Sequence, residues 1–210
     1  MKHTIPFLTL FLLLSWTCRG QEEALVRKTF DQYKSSILND KGEEAVQYVD
    51  SRTIQYYSDM LNIVKTADSA SVEKLSIMDK FMVFAIRHRT TRAEILSFDG
   101  KGLLVYAIRK GMVGKNSVSN NTIGDITIDG DFAKGQLIAN GRKVPAYFHF
   151  YKETGLWKLD LTALFPLATA AFKGMATDSE QPENDFLFQL LEMVSGNKPG
   201  QEIWKPTESK

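Results

Sequence analysis

Apolar and polar residues alternate with a period of two over residues 123–161, interrupted by three turn sequences, and this pattern predicts a four-stranded antiparallel meander. Asp129-Gly130 and Asn140-Gly141 have the composition of two-residue hairpin turns, which require positive φ angles. Lys152-Glu153-Thr154-Gly155 reads as a four-residue loop ending on glycine. Counting outward from these turns sets Ile126 opposite Ala133, Leu137 opposite Val144, Phe148 opposite Leu159 and Phe150 opposite Trp157. One face then collects Ile126, Ile128, Ala133, Leu137, Ala139, Val144, Ala146, Phe148, Phe150, Trp157, Leu159 and Leu161. The other carries Asp125, Lys134, Lys143, Tyr147, His149, Tyr151, Lys158 and Asp160. Phe132 and Ile138 are its apolar exceptions, and with Tyr147 and Tyr151 they offer a partner surface. A slip of one residue would drive the charged set into the core, so the identity of the buried face is strongly specified.

Upstream, the period changes to that of helices. Val26, Phe30, Tyr33 and Ile37 form one apolar stripe, closed by Asn39 to Gly42. Residues 43–66 make a second helical region, with a break that Asp50-Ser51 can cap. Ser71 caps a third, running through Val72, Leu75, Met78 and Met82 to about Arg89. Leu103, Leu104, Ala107 and Ile108 predict a short helix ended by Gly111, with strand as the alternative, and residues 112–122 a polar loop. Beyond the meander, Pro166 suits the first turn of a helix through Phe172. Phe186, Leu187, Leu190, Leu191 and Val194 give a last amphipathic helix stopped by Gly196. Ile203 and Trp204 anchor the tail, and Pro206 to Lys210 are expected to fray. The fold class is therefore α+β, with N-terminal helices packed on a curved meander and C-terminal helices following.

Residues 1–20 have the layout of a secretory leader: a basic start at Lys2, an apolar run from Pro6 to Trp16, then small and polar residues before Gln21-Glu22-Glu23. The expected organisation is a leader at 1–20, an α+β domain at 21–176 and a C-terminal helix and tail at 177–210. The apolar run is short for a membrane span. Cys18, the only cysteine, stands where a bacterial lipoprotein carries its lipidated residue, although Ser15 departs from the usual aliphatic; cleavage after Gly20 is the competing reading. The protein is thus expected to be exported, secreted or periplasmic, and membrane-bound only if lipidated at Cys18. The formal charge is +1, and loss of Lys2 and Arg19 lowers it by two. With no basic stripe, nucleic acid is not an expected partner.

The order of elements, and the residues Ile128-Asp129-Gly130-Asp131-Phe132-Ala133, Phe150-Tyr151-Lys152-Glu153 and Trp157-Lys158-Leu159-Asp160-Leu161, resemble the nuclear transport factor 2-like superfamily. This cone-shaped fold includes ketosteroid isomerase and scytalone dehydratase, and the likeness covers roughly residues 22–165. It implies a pocket between the helices and the concave, apolar sheet face. It does not imply an activity, because isomerases, dehydratases and binding proteins share the fold.

Gly124, Gly135 and Ala146 fall in one row of the predicted apolar face and leave a depression that would border a cavity or accept a helix. Tyr33, Tyr57, Phe84 and His88 are the helix residues expected above it, with ordinary core packing as the alternative. The common hydrolase, metalloprotease, redox and phosphate-binding motifs are absent from the sequence. Only His88 and His149 remain beyond the leader, so no metal or cofactor is expected. His149 is placed beside Lys158, with Tyr147 opposite Asp160, on the face away from the core. The cluster of Arg87, Arg89 and Arg92 offers a site for an anion, although a solvated charged face explains it adequately. Two functions follow: an exported, non-enzymatic protein that binds a small apolar molecule or a protein partner, a second copy included; or an isomerase or dehydratase with His88 or Asp50 as base and a tyrosine as donor.

Overall fold

In the computed structural model, which describes residues 8–113 and 115–209, helices precede and follow a single four-stranded sheet, an α+β architecture. The N-terminal half comprises α1 (Leu8–Leu38), α2 (Gly42–Ala45), α3 (Ser51–Thr66), α4 (Ser69–Glu73), α5 (Ile77–Arg89), α6 (Arg92–Ser97), α7 (Gly100–Arg109) and α8 (Asn116–Ser119). The sheet is β1 (Asn121–Asp129), β2 (Phe132–Ala139), β3 (Arg142–Glu153) and β4 (Leu156–Asp160), and α9 (Phe165–Asp178) and α10 (Glu183–Ser195) follow it. Cys18 and the start of the leader lie outside the described side chains. No helix among the described residues is long and apolar enough to cross a membrane.

Helices α3 to α7 each start on a side-chain cap, which answers amide groups that the first turn leaves without partners. Asp50 accepts from the Thr53 amide at 2.9 Å, Asp68 from Ser71 at 2.8 Å, Ser76 from Asp79 at 3.2 Å and Asp99 from Gly102 at 2.6 Å. Thr91 and Glu94 form a reciprocal capping box. The single helix expected over 71–89 is therefore two. Ser71 is the residue whose amide is capped, and Ser76 opens a new helix. The ambiguous run at 103–108 is helical, with Leu103, Leu104, Ala107 and Ile108 all buried. Gly196, at φ 73°, ends α10 as expected. The tail does not fray at Thr207, which is buried and donates to the Val64 carbonyl at 3.2 Å.

The sheet order is β1-β2-β3-β4, with every pair antiparallel. Ala139 pairs with Arg142, so Asn140-Gly141 forms the expected turn, and both residues have positive φ. The other two turns differ. Asp129 pairs with Phe132, which centres the first on Gly130-Asp131, and Glu153 pairs with Leu156, which leaves only Thr154 and Gly155 in the third. Each of these turn differences moves the register by two residues and so by itself changes no side chain's face. Ile126 lies opposite Gly135, Phe148 also opposite Gly135, and Phe150 opposite Leu159. His149 consequently faces Asp160, and Lys158 faces Tyr151.

Two irregularities bend the sheet. Between Ile123 and Ile126 the β1 register shifts, which turns both isoleucines inward. In β3 the extra residues surround Pro145, and the Gln136 side-chain amide donates to the carbonyls of Val144 and, at 3.1 Å, Ala146. Helix α1 crosses the inner face, where Val26, Phe30, Tyr33 and Ile37 are buried and Phe30 meets Phe148 at 4.6 Å between ring centroids. Its polar side also serves the sheet. Arg27 donates to the carbonyls of Ile123 and Gly124, and Lys34 to those of Ser119 and Asn121. The β4 edge is covered by the chain around Asp50, whose amide donates to Leu159 O at 3.0 Å.

The row Gly124-Gly135-Ala146 is broken by the β1 bulge. A Cβ on Gly124 would meet Ile138 and Gln136, residues of the outer face, at 3.1 and 3.3 Å. Gly135 stays on the inner face, but the Ile123 side chain occupies the space over it, 2.3 Å from where a Cβ would stand. The expected depression is thus filled from within the sheet. Gly135→Ala is expected to cost about 1–3 kcal/mol through overpacking. Because the clash is with Ile123, the double variant with Ile123→Ala should lose less stability than the two single losses combined, by at least about 0.5 kcal/mol. Urea unfolding of the four proteins checks this, and strict additivity would contradict it.

Candidate functional site

A cavity of about 270 Å³ lies within the helical half. Tyr57 of α3 lines it, together with Phe81, Met82, Ala85, Ile86 and Arg89 of α5, Leu103 and Ala107 of α7, and Val194 of α10. Positions 82, 85, 86 and 89 share one helical face, as do 103 and 107. The hollow exists because two of these inward positions, Ala85 and Ala107, are alanines where a larger side chain would fill the space. The chain after α7 supplies the remaining wall. The amides of Met112 and Val113 both donate to Ala107 O, at 2.8 and 3.3 Å, and Gly111 adopts φ 62°, so Gly111, Met112 and Val113 fold back over the opening.

Among the described residues, only two polar side chains line this cavity, Tyr57 and Arg89. Burial alone pushes the Tyr57 phenol up to about 12, so it is neutral at physiological pH and can donate a hydrogen bond. Burial, reinforced by neighbouring Tyr57, raises Tyr33 further. Arg89 donates through Nη2 to Lys110 O at 3.1 Å. No carboxylate or imidazole is among the lining residues. The surface can therefore hold an apolar body and offer it hydrogen-bond donors, and it presents no group suited to removing a proton from carbon.

Of the residues expected at the site, Tyr57 lines this cavity, and the others lie elsewhere. Tyr33 is a core residue of α1. Phe84 is fully buried and packs against Trp204 and Phe188, with centroids at 4.7 and 5.7 Å. His88 Nε2 is within hydrogen-bonding distance of Ser195 Oγ, 3.1 Å, and Asn197 O, 3.2 Å, at the end of α10. Asp50 is fully buried as the cap of α3 and pairs with Arg52 at 3.2 Å. His88 follows Arg87, which binds the far end of α3, so Asp50 and His88 are separated by roughly 20 Å of helix and cannot act on one substrate atom. Gly124, Gly135 and Ala146 belong to the sheet and do not border this cavity.

Of the arginine cluster, Arg87 is buried, Arg89 is half-buried and Arg92 is exposed, with its Nε donating to Thr207 O at 3.0 Å. The residues that sequence reasoning missed are Met82, Ala85, Arg89, Ala107 and Met112. The available signal was an alanine inside the apolar stripe of each of two helices that later prove to be neighbours of one hollow. On the outer sheet face, Phe132 packs against His149 and Tyr151, each at 5.2 Å, and the Arg52 guanidinium lies 3.5 Å over the Tyr151 ring. His149 thus has a packing role there. No family model, curated protein or solved structure matches this chain.

Proposed function

We propose that the protein is an exported, non-enzymatic binding protein of the nuclear transport factor 2-like type that takes a small apolar ligand among its helices. The observation that carries this reading is the cavity between α3, α5 and α7, whose walls are apolar apart from one phenol and one guanidinium. Its volume corresponds to about nine solvent-sized groups at ~30 Å³ each, just below the usual range for small-molecule sites. Order and curvature of the elements support the cone-fold assignment, with the difference that the space over the concave sheet face is filled by Ile123, Phe30 and Phe148. The isomerase or dehydratase reading draws no support from His88 and Asp50, which cap and brace separate ends of the helical layer.

Octanol, with a size matched to the cavity, is expected to bind with a dissociation constant of order a millimolar or tighter. Ala107→Phe should fill the hollow and abolish that binding without lowering the melting temperature. Calorimetric titration and thermal melts of both proteins test this. Undiminished octanol binding by the variant would refute the site.

Export is supported by the leader, and a start just after it is compatible with the contacts that α1 makes: the Glu22 carboxylate accepts from Lys152 Nζ at 2.8 Å and Trp157 Nε1 at 2.6 Å. Those bonds, Lys152 first, hold its carboxyl below the usual range. A chain starting at Gln21 keeps these contacts and places Glu22 and Glu23 in the first helical turn, where acids are favoured. Intact mass of the protein recovered outside the cytoplasm should show a start at Gln21 or a lipidated Cys18; a cytoplasmic species starting at Met1 would contradict export.

A further inference from the structure

Arg89 is the only charged side chain among the described residues that line the cavity, and it makes one hydrogen bond within the protein. Of its five N–H donors, one is given to Lys110 O, and no carboxylate pairs with it among the described residues. Glu94, the acid that follows in the next helix, is committed elsewhere. Its Oε2 accepts from the Thr91 amide and hydroxyl, at 2.9 and 2.7 Å, and from the Tyr106 hydroxyl at 3.3 Å. The one charge carried by the described lining side chains is therefore positive, while the walls formed by Phe81, Ile86 and Leu103 are apolar. A carboxylate would supply this guanidinium with a counter-charge that a neutral ligand lacks.

We propose that the ligand is a small amphiphilic anion: a single carboxylate held by Arg89, and an aliphatic or aromatic tail of about eight to ten heavy atoms filling the space between Ala85 and Ala107. The planar guanidinium matches a carboxylate in bidentate fashion, which an ammonium cannot do. The proposal rests on the cavity being the ligand site. It also gives the Tyr57 phenol a role as a neutral second donor within an otherwise apolar wall.

Octanoate and octanol share a tail and differ in charge, so titrating both into the full chain at neutral pH isolates the head group. Octanoate is expected to bind about tenfold more tightly or better, with an advantage that shrinks as salt is added. Arg89→Met should reduce octanoate to the level of octanol while octanol binding persists, showing that the cavity is intact; Arg89→Lys should restore part of the preference. Equal binding of the two ligands to the unaltered protein, or an octanoate preference that survives Arg89→Met, would overturn the anion proposal and leave the apolar site standing. Failure of both ligands to bind would remove the cavity reading and this proposal with it.

Discussion

Arg87 carries a positive charge into the interior, where it is only 6% exposed, and meets it with carbonyl oxygens and no carboxylate among its hydrogen-bond partners. Its Nε donates to Val64 O at 3.1 Å and its Nη2 to Ala67 O at 2.7 Å and Ile63 O at 3.3 Å. These are carbonyls of the last turn of α3 and of its C-cap Ala67, at the negative end of the helix dipole; Ile63 O also accepts from the Ala67 amide at 2.9 Å. Nη1 completes the set by donating to Ile203 O at 3.0 Å, in the C-terminal tail. Burial pushes the guanidinium down to about 10, still far enough above neutrality to keep it charged. One side chain of α5 thus ties the end of α3 to the end of the chain. Removing it would deprive Ala67 O and Ile203 O of this donor, at a cost of about 1–3 kcal/mol each, while Ile63 O and Val64 O keep the Ala67 amide and the Thr207 hydroxyl.

The functional consequences follow from this tie. Fixing α3 beside α5 places Tyr57 next to Met82 and Ile86, and the opening of the cavity lies two residues beyond Arg87, at Arg89, on another face of the same helix. Lys80, at the other end of α5, does a similar task by different means. It is buried and pairs with Glu183 at 2.9 Å and Glu73 at 3.4 Å, joining α5 to α10 and α4. Helix α5 is therefore anchored at both ends, and the hollow lies between the anchors. The sheet is stabilised separately, through the Phe30 to Phe148 contact and the side chains of α1 that satisfy its irregular edge.

The faces of the sheet were legible in the sequence because period-two alternation survives any two-residue slip. Both turn differences were of that size, so Phe150 and Leu159 went inside although neither had its expected partner. The bulge at Gly124 was not legible, because an inserted residue leaves no trace in composition, and it moved Gly124 to the opposite face from Gly135. Stripes on α1 and caps such as Asp50 are local and were read directly. Arg87 was not, since a buried arginine and a solvated one look alike until the carbonyls of another helix are in place. The cavity was missed for the same kind of reason: a hollow between Ala85 and Ala107 depends on which helices become neighbours, and of the residues expected at a pocket only Tyr57 lines it.

Arg87 thus holds the end of α3, the tail and hence the cavity walls as one unit. Native-state hydrogen exchange on Arg87→Met, compared with the unaltered chain, reads this out residue by residue. Loss of amide protection is expected in the last turn of α3 and over residues 201–207, with β2 and β3 retaining theirs. Unchanged protection at the end of α3 and in the tail, or a loss spread evenly across helices and sheet, would contradict it.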